Sequence, residues 1–303
     1  MILIYTCFVM AIAGAIFGSF AGAQVWRLRA RELAQDKHDG EAVDMHEYRR
    51  LSPLIVKASQ DRSRCLHCGH TLAWYDLLPL ASWLSTAGKC RYCKKNIGWF
   101  EPLMEVGFAV FFVLSYLFFA PTLGSIDGIA RLTLWLVAGV LMGILLAYDA
   151  KWFILPEKLN IALGVVGAMY AAITLMQQGI SLDTLLSLVG SLLIMSGLYL
   201  LIFIVSRGEW IGFGDVILGV GLGFVLLSWE RAFLALFLAN VLGLLAVLPA
   251  YIQRKVTGKT PIPFGPFLII ATILVVLYGE SMVRVISAVI DQFASLLLSP
   301  LML

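Results

Sequence analysis

Residues 129–148 read IARLTLWLVAGVLMGILLAY, and Asp149 follows directly. The run holds one charged side chain, Arg131, near its start. About 20 residues at 1.5 Å rise make about 30 Å, the hydrocarbon thickness of a bilayer, so the stretch reads as a membrane-spanning helix. Comparable runs lie at 2–26, 103–120, 154–176, 182–206, 213–229, 231–252 and 264–280. Over all 303 residues, 60% are hydrophobic and 14% charged, against about 25% charged in a soluble domain. These values exclude a soluble two-domain protein, a disordered chain, collagen and a small disulfide scaffold. The expected fold is an all-α polytopic membrane protein with about eight transmembrane helices. Beyond residue 280, Glu280, Arg284, Ser287, Asp291 and Ser295 recur at helical spacing. They predict an amphipathic helix over 281–303 on the outer interface, a ninth crossing being the alternative.

Charge is concentrated between the first two runs. Residues 27–102 carry 13 Lys/Arg and 9 Asp/Glu, all four histidines (His38, His46, His67, His70) and four of the five cysteines. A water-soluble insert therefore follows a first anchor at 1–26 and precedes a bundle at 103–280. Its charges alternate in sign, which fits a membrane surface and speaks against nucleic acid as a partner. Ala21-Gly22-Ala23 resembles a signal-peptidase site, but Arg27, Arg29 and Arg31 come after the apolar run, not before it. The run is read as an uncleaved anchor with its N-terminus outside and the insert in the cytoplasm. Alternating the spans from there places 19 Lys/Arg in the cytoplasm and three outside.

Cys65, Cys68, Cys90 and Cys93 form C-x2-C-x21-C-x2-C. Each pair supplies half a tetrahedron on a tight turn, and the loop between them folds back to close it. A reducing cytoplasm disfavours disulfides, so a zinc-ribbon-like site is expected, with free or redox cysteines as the alternative. His67 or His70 could replace a cysteine ligand. Four protein ligands leave no open position, so the Zn2+ would be structural. Cys7, within the first run, reads as a small buried apolar residue.

Ionisable residues in spans are functional candidates. Asp149 ends one run in Ala147-Tyr148-Asp149-Ala150-Lys151, and Asp215 opens another in Gly212-Phe213-Gly214-Asp215. Both fall at the cytoplasmic ends of their spans, at matched depth. Facing carboxylates share a proton, one serving as base on a water and the other as acid on a scissile carbonyl. Gly212 and Gly214 would let a substrate backbone approach. The plainer reading makes each Asp a helix cap or an interface residue, and the same reading is preferred for Glu157 and Glu209. Composition and spacing lead as far as an intramembrane aspartyl hydrolase.

Several ordered motifs resemble the type IV prepilin peptidase family. They are Gly18-Ser19-Phe20 with Arg27-Leu28, the tetracysteine insert with Trp74, Asp76, Pro79 and Ser82, then Pro102 and Glu105. Asp149 with Leu155-Pro156, Glu209 with Gly212-Phe213-Gly214-Asp215, and Pro263-Phe264-Gly265-Pro266-Phe267-Leu268 complete the series. The chain departs from the family pattern at Gly22, Leu77, Glu157 and Ile217. The resemblance implies a multi-pass protein of the bacterial inner membrane with Asp149 and Asp215 as its catalytic pair. It implies cleavage of prepilins and pseudopilins after a Gly at the cytoplasmic face, then N-methylation of the new terminus with S-adenosylmethionine. No glycine-rich nucleotide loop of Rossmann type is visible, so no residue is assigned to the methyl donor. Two other functions compete: a proton-coupled carrier, which would want acids near mid-span, and a zinc-ribbon membrane scaffold, in which both aspartates would be replaceable.

Overall fold

The structure, a computed structural model, describes residues 1–56, 61–253 and 262–298. Those residues are almost entirely helical, with two isolated β-bridges and no strand. Among the described residues seven helices are long and apolar enough to cross a membrane: Ile2–His38, Phe100–Thr122, Ile126–Trp152, Glu157–Gln178, Leu182–Ser206, Trp229–Ile252 and Gly265–Val285. An eighth apolar helix, Phe213–Leu226, has only 14 residues, about 21 Å of rise. Its short length reflects an early stop, because Leu227 turns left-handed at φ 67 and the Ser228 side chain caps the next helix. The chain divides into two compact units, Met1–Pro121 and Thr122–Leu303.

In the first unit, α1 (Ile2–His38) packs along α4 (Phe100–Phe119). The contact depends on Gly14-x-x-x-Gly18, a spacing that lets helix backbones touch. A Cβ on Gly18 would lie 2.6 Å from the Met104 carbonyl oxygen, and one on Gly14 would meet that of Phe108. The helix does not end near residue 26. It continues for three more turns and lends the insert its apolar core. Ala30 and Leu33 pack there with Leu51 and Leu54, flanked by Trp26, Val43, Tyr48 and Leu66. The charges around that core pair locally, Arg27 with Asp61 at 2.8 Å and Arg29 with Glu47 at 2.9 Å. Helix α2 (Met45–Leu51) starts where Asp44 accepts the N–H groups of His46 and Glu47. The short α3 (Ala81–Ser85) is tied to α4 because the Leu80 N–H donates to the buried Glu105 carboxylate at 2.7 Å. Trp83 packs against Trp99 at a tilt of 48° and donates its indole N–H to the Gly98 carbonyl.

The second unit holds α5 (Ile126–Trp152), α6 (Glu157–Gln178), α7 (Leu182–Leu192), α8 (Leu198–Ser206), α9 (Phe213–Leu226), α10 (Trp229–Ile252) and α11 (Gly265–Leu298). A π-helical turn at Leu193–Gly197 joins α7 to α8. Three glycines let α9 sit against neighbours on two sides. Gly219 and Gly223, one turn apart, face the backbone at Met195 and Leu192, whereas Gly221 faces Leu163 on α6. Ser191 of α7 and Ser196 of the π turn close the contact, donating to the Gly223 and Val216 carbonyls at 2.9 Å. Helix α11 continues unbroken past residue 280 to Leu298. Ser287, Asp291 and Ser295, on which the amphipathic reading of 281–303 relies, have side chains outside the described residues.

Candidate active site and metal centre

Asp149 lies in the last turn of α5, 5% exposed. That is the wrong end of a helix for a capping carboxylate, because the dipole there is negative. Its bonding partner lies on another helix: the backbone N–H of Gly265, first residue of α11, donates to the carboxylate. Asp215 is the third residue of α9 and reaches back to accept the N–H of Gly212, the N-cap. That is half of a capping box, so the plainer cap reading holds for Asp215 and does not exclude a second role. The two carboxylates lie within Coulombic reach of each other, and no cation is paired with either among the described residues.

Gly214, one of the two glycines expected to approach a substrate backbone, also approaches Leu155: a Cβ on it would lie 3.0 Å from the Leu155 Cβ. At Gly212 the nearest neighbour of a Cβ would be the Asp215 carboxylate, at 3.9 Å. Glu157 sits exposed in the first turn of α6 and Glu209 lies exposed before the α9 turn, both in the positions the plainer reading gives them.

Three residues beside the aspartates were not singled out from sequence. Asn160 on α6 is fully buried, donates its side-chain N–H to the Gly214 carbonyl at 3.0 Å, and leaves its Oδ1 without a hydrogen-bond partner. Tyr199 on α8 is buried and within electrostatic reach of Asp215. Gly265 lies inside the closing motif, yet nothing in that motif's composition points to Asp149. An Asn four residues after Pro156 was the one available signal, and an apolar run with a single amide hides it well.

The four sulfurs of Cys65, Cys68, Cys90 and Cys93 lie within 4.8 Å of one another, with Cys65 and Cys93 4.0 Å apart. A tetrahedral zinc with bonds of about 2.3 Å needs sulfurs about 3.8 Å apart, so the set fits a metal ion with a small contraction. The two pairs are built alike. The Cys65 N–H donates to the His70 carbonyl and Cys90 to that of Lys95, while Gly69 and Lys94 donate back to the Cys65 and Cys90 carbonyls. Gly69 and Lys94 both take positive φ, at 68 and 59. One β-bridge flanks each turn, Arg64 with Thr71 and Lys89 with Asn96. Burial pushes the Cys65 thiol up to about 12. For Cys90 burial acts upward too, but the N–H groups of Cys93 and Tyr92 and the neighbouring thiols outweigh it and bring it down to about 7. His67 faces the Asn96 carbonyl at 3.2 Å and His70 stacks on Tyr92, so neither replaces a cysteine in the cluster. Asp76 braces the second turn: it accepts from Arg91 at 2.9 Å, from the Tyr92 hydroxyl at 2.9 Å and from the Ala73 N–H.

Two family profiles match the chain, the bacterial peptidase A24 N-terminal domain over residues 12–119 and the type IV leader peptidase family over residues 135–248. Among similar proteins, a prepilin leader peptidase/N-methyltransferase of Stutzerimonas stutzeri is 33% identical over 240 residues, 77% of this chain and 76% of that protein. Proteins of the same name from Aeromonas hydrophila and Pseudomonas putida are each 28% identical over 89% of both chains. No solved structure matches. The order of motifs, the membrane helices and these matches agree, and the chain belongs to the type IV leader peptidase family.

Proposed function

We propose that this chain is an intramembrane aspartyl endopeptidase that removes the leader of type IV prepilins and pseudopilins after a Gly, and then N-methylates the new terminus. The observation that carries this reading is the convergence of Asp149 and Asp215 from two helices to within Coulombic reach, each held by a backbone N–H. The names of the relatives supply the substrate class. One carboxylate, ionised, takes a proton from a water as its oxygen attacks the scissile carbonyl. The other, protonated, gives its proton to the carbonyl oxygen, so that a gem-diol forms. Collapse of that intermediate breaks the C–N bond: a gem-diol hydroxyl returns its proton to the carboxylate that had served as acid, and the leaving amine takes a proton from the carboxyl that had served as base. Gly212 and Gly214 leave room for an extended substrate backbone beside Asp215. S-adenosylmethionine enters as a second substrate and supplies the methyl group.

Cys65, Cys68, Cys90 and Cys93 would hold Zn2+, whose contribution is to brace the two turns of the insert. The distribution of Lys and Arg supports a multi-pass orientation in the bacterial inner membrane with the N-terminus outside and the insert in the cytoplasm. The test is mass spectrometry of a pilin-type substrate incubated with the wild type and with Asp215→Asn. A mature, N-methylated product from the wild type and uncleaved substrate from the variant are expected. Cleavage by the variant at the wild-type rate would remove the aspartyl mechanism, and no cleavage by the wild type would leave the scaffold or carrier readings in its place.

A further inference from the structure

Asp149 is oriented from outside its own helix. The first turn of an α-helix leaves its N–H groups without helical acceptors, and at α11 each of the first four positions is accounted for. Pro266 has no N–H. Phe267 and Leu268 both donate to the Phe264 carbonyl at 3.1 Å. Gly265 alone of the four is directed to a side chain, the Asp149 carboxylate.

The same residue is pressed against that carboxylate. A Cβ on Gly265 would lie 2.6 Å from Asp149 Oδ2, 3.4 Å from its Cγ and 3.6 Å from Leu155 Cδ2. Its backbone is not in the left-handed region, so space and not conformation is what requires glycine here.

We infer that Gly265 is a positioning residue for cleavage, its N–H and its missing side chain together setting the direction of the Asp149 carboxylate. This rests on the aspartyl reading above. Leu155, in the turn between α5 and α6, would lie 3.6 Å from a Cβ on Gly265 and 3.0 Å from one on Gly214, so it packs near both glycines. A carboxylate turned or displaced by about 1 Å is expected to lose on the order of 100-fold in rate with little change in binding.

The experiment compares three forms of the full-length protein in nanodiscs, acting on a pilin-type substrate. Gly265→Ala keeps the N–H and adds a methyl group. Glycolic acid at position 265, an ester replacement, removes the N–H and adds no bulk. Gly164→Ala is the control, because a Cβ there meets nothing within 4 Å. Gly265→Ala should lower kcat on the order of 100-fold, with KM within about twofold and a melting temperature no lower than the control's. The ester should lower kcat and displace the pH–kcat profile, since a donor to a carboxylate distinguishes its charged from its neutral form. A kcat within about twofold of wild type for either form, or an unchanged pH profile for the ester, would overturn the inference. If Gly265→Ala fails to fold, the ester decides alone. Asp149→Asn that still cleaves would sink the aspartyl reading itself, whereas an inactive Asp149→Asn beside a fully active Gly265→Ala would sink only this one.

Discussion

A carboxylate buried without a cation must be held by dipoles, and backbone N–H groups do this for Asp149 and Asp215. Replacing either by Asn keeps volume and some hydrogen bonding but removes a carboxylate from the proposed catalytic pair. Each variant should lower kcat by roughly 100- to 10,000-fold or more, the usual worth of a general acid or base, with thermal stability near wild type. A rate assay with a melting curve on the same preparations checks both halves. Asn160 belongs to the same neighbourhood by a different route. It is fully buried and spends its N–H on the Gly214 carbonyl, one residue before Asp215. Asn160→Ala should cost about 1 kcal/mol for the lost bond and lower kcat as well, because the α9 turn is no longer pinned to α6. In the insert, Asp76 is held below the usual carboxylate range: burial opposes this, but Arg91, the Tyr92 hydroxyl and the Ala73 N–H outweigh it. A depressed value stabilises the folded insert above the unfolded pKa of about 3.9 and loses that contribution as pH falls through the folded value. Acidification should therefore loosen the insert in the wild type more steeply than in Asp76→Asn, as limited proteolysis across that pH range would reveal.

Helix pairs in both units meet through missing side chains. In α1 the spacing Gly14-x-x-x-Gly18 is legible in the sequence as a close-packing stripe, but its partner is not, since any apolar helix would offer a flat face. The structure assigns that partner as α4, at Met104 and Phe108. Gly18→Leu should separate the pair and destabilise the first unit by about 1–3 kcal/mol, the usual cost of overpacking, read as a lower melting temperature in detergent. The π-helical turn at Leu193–Gly197 was not legible at all, because nothing in Leu-Ile-Met-Ser-Gly departs from an ordinary apolar helix. Within it the Met195 carbonyl would meet any Cβ on Gly219 of α9, a close approach between segments more than 20 residues apart. The length of α9 has a local origin. Hydropathy continues to residue 229, yet the left-handed Leu227 and the Ser228 cap end one helix and begin the next.

At the scale of the whole chain, each compact unit holds one chemically distinct cluster, the four cysteines in the first and the two aspartates in the second. The small core of the insert is shared, Leu51 and Leu54 packing on Ala30 and Leu33 from the extension of α1. Loss of metal should consequently loosen the two cysteine turns and leave α1 and its small core standing. Cys65→Ser or Cys93→Ser should lower the zinc content from one per chain, by elemental analysis of protein purified without chelators. Cys68→Ser or Cys90→Ser should yield mature pilin with N-methylation reduced more than cleavage. Equal loss of both activities in a folded variant would show that the two are not divided between units. What the sequence by itself determined was everything that depends on transfer free energy and on local ligand spacing. Apolar runs of bilayer length must be helices that satisfy their own backbone, and C-x2-C places two thiolates on one turn whatever surrounds it. Which helix faces which, and therefore which backbone N–H meets the Asp149 carboxylate, was decided only by tertiary packing. The residues that settle it are glycines and one buried amide, and side chains that are absent leave little pattern to read.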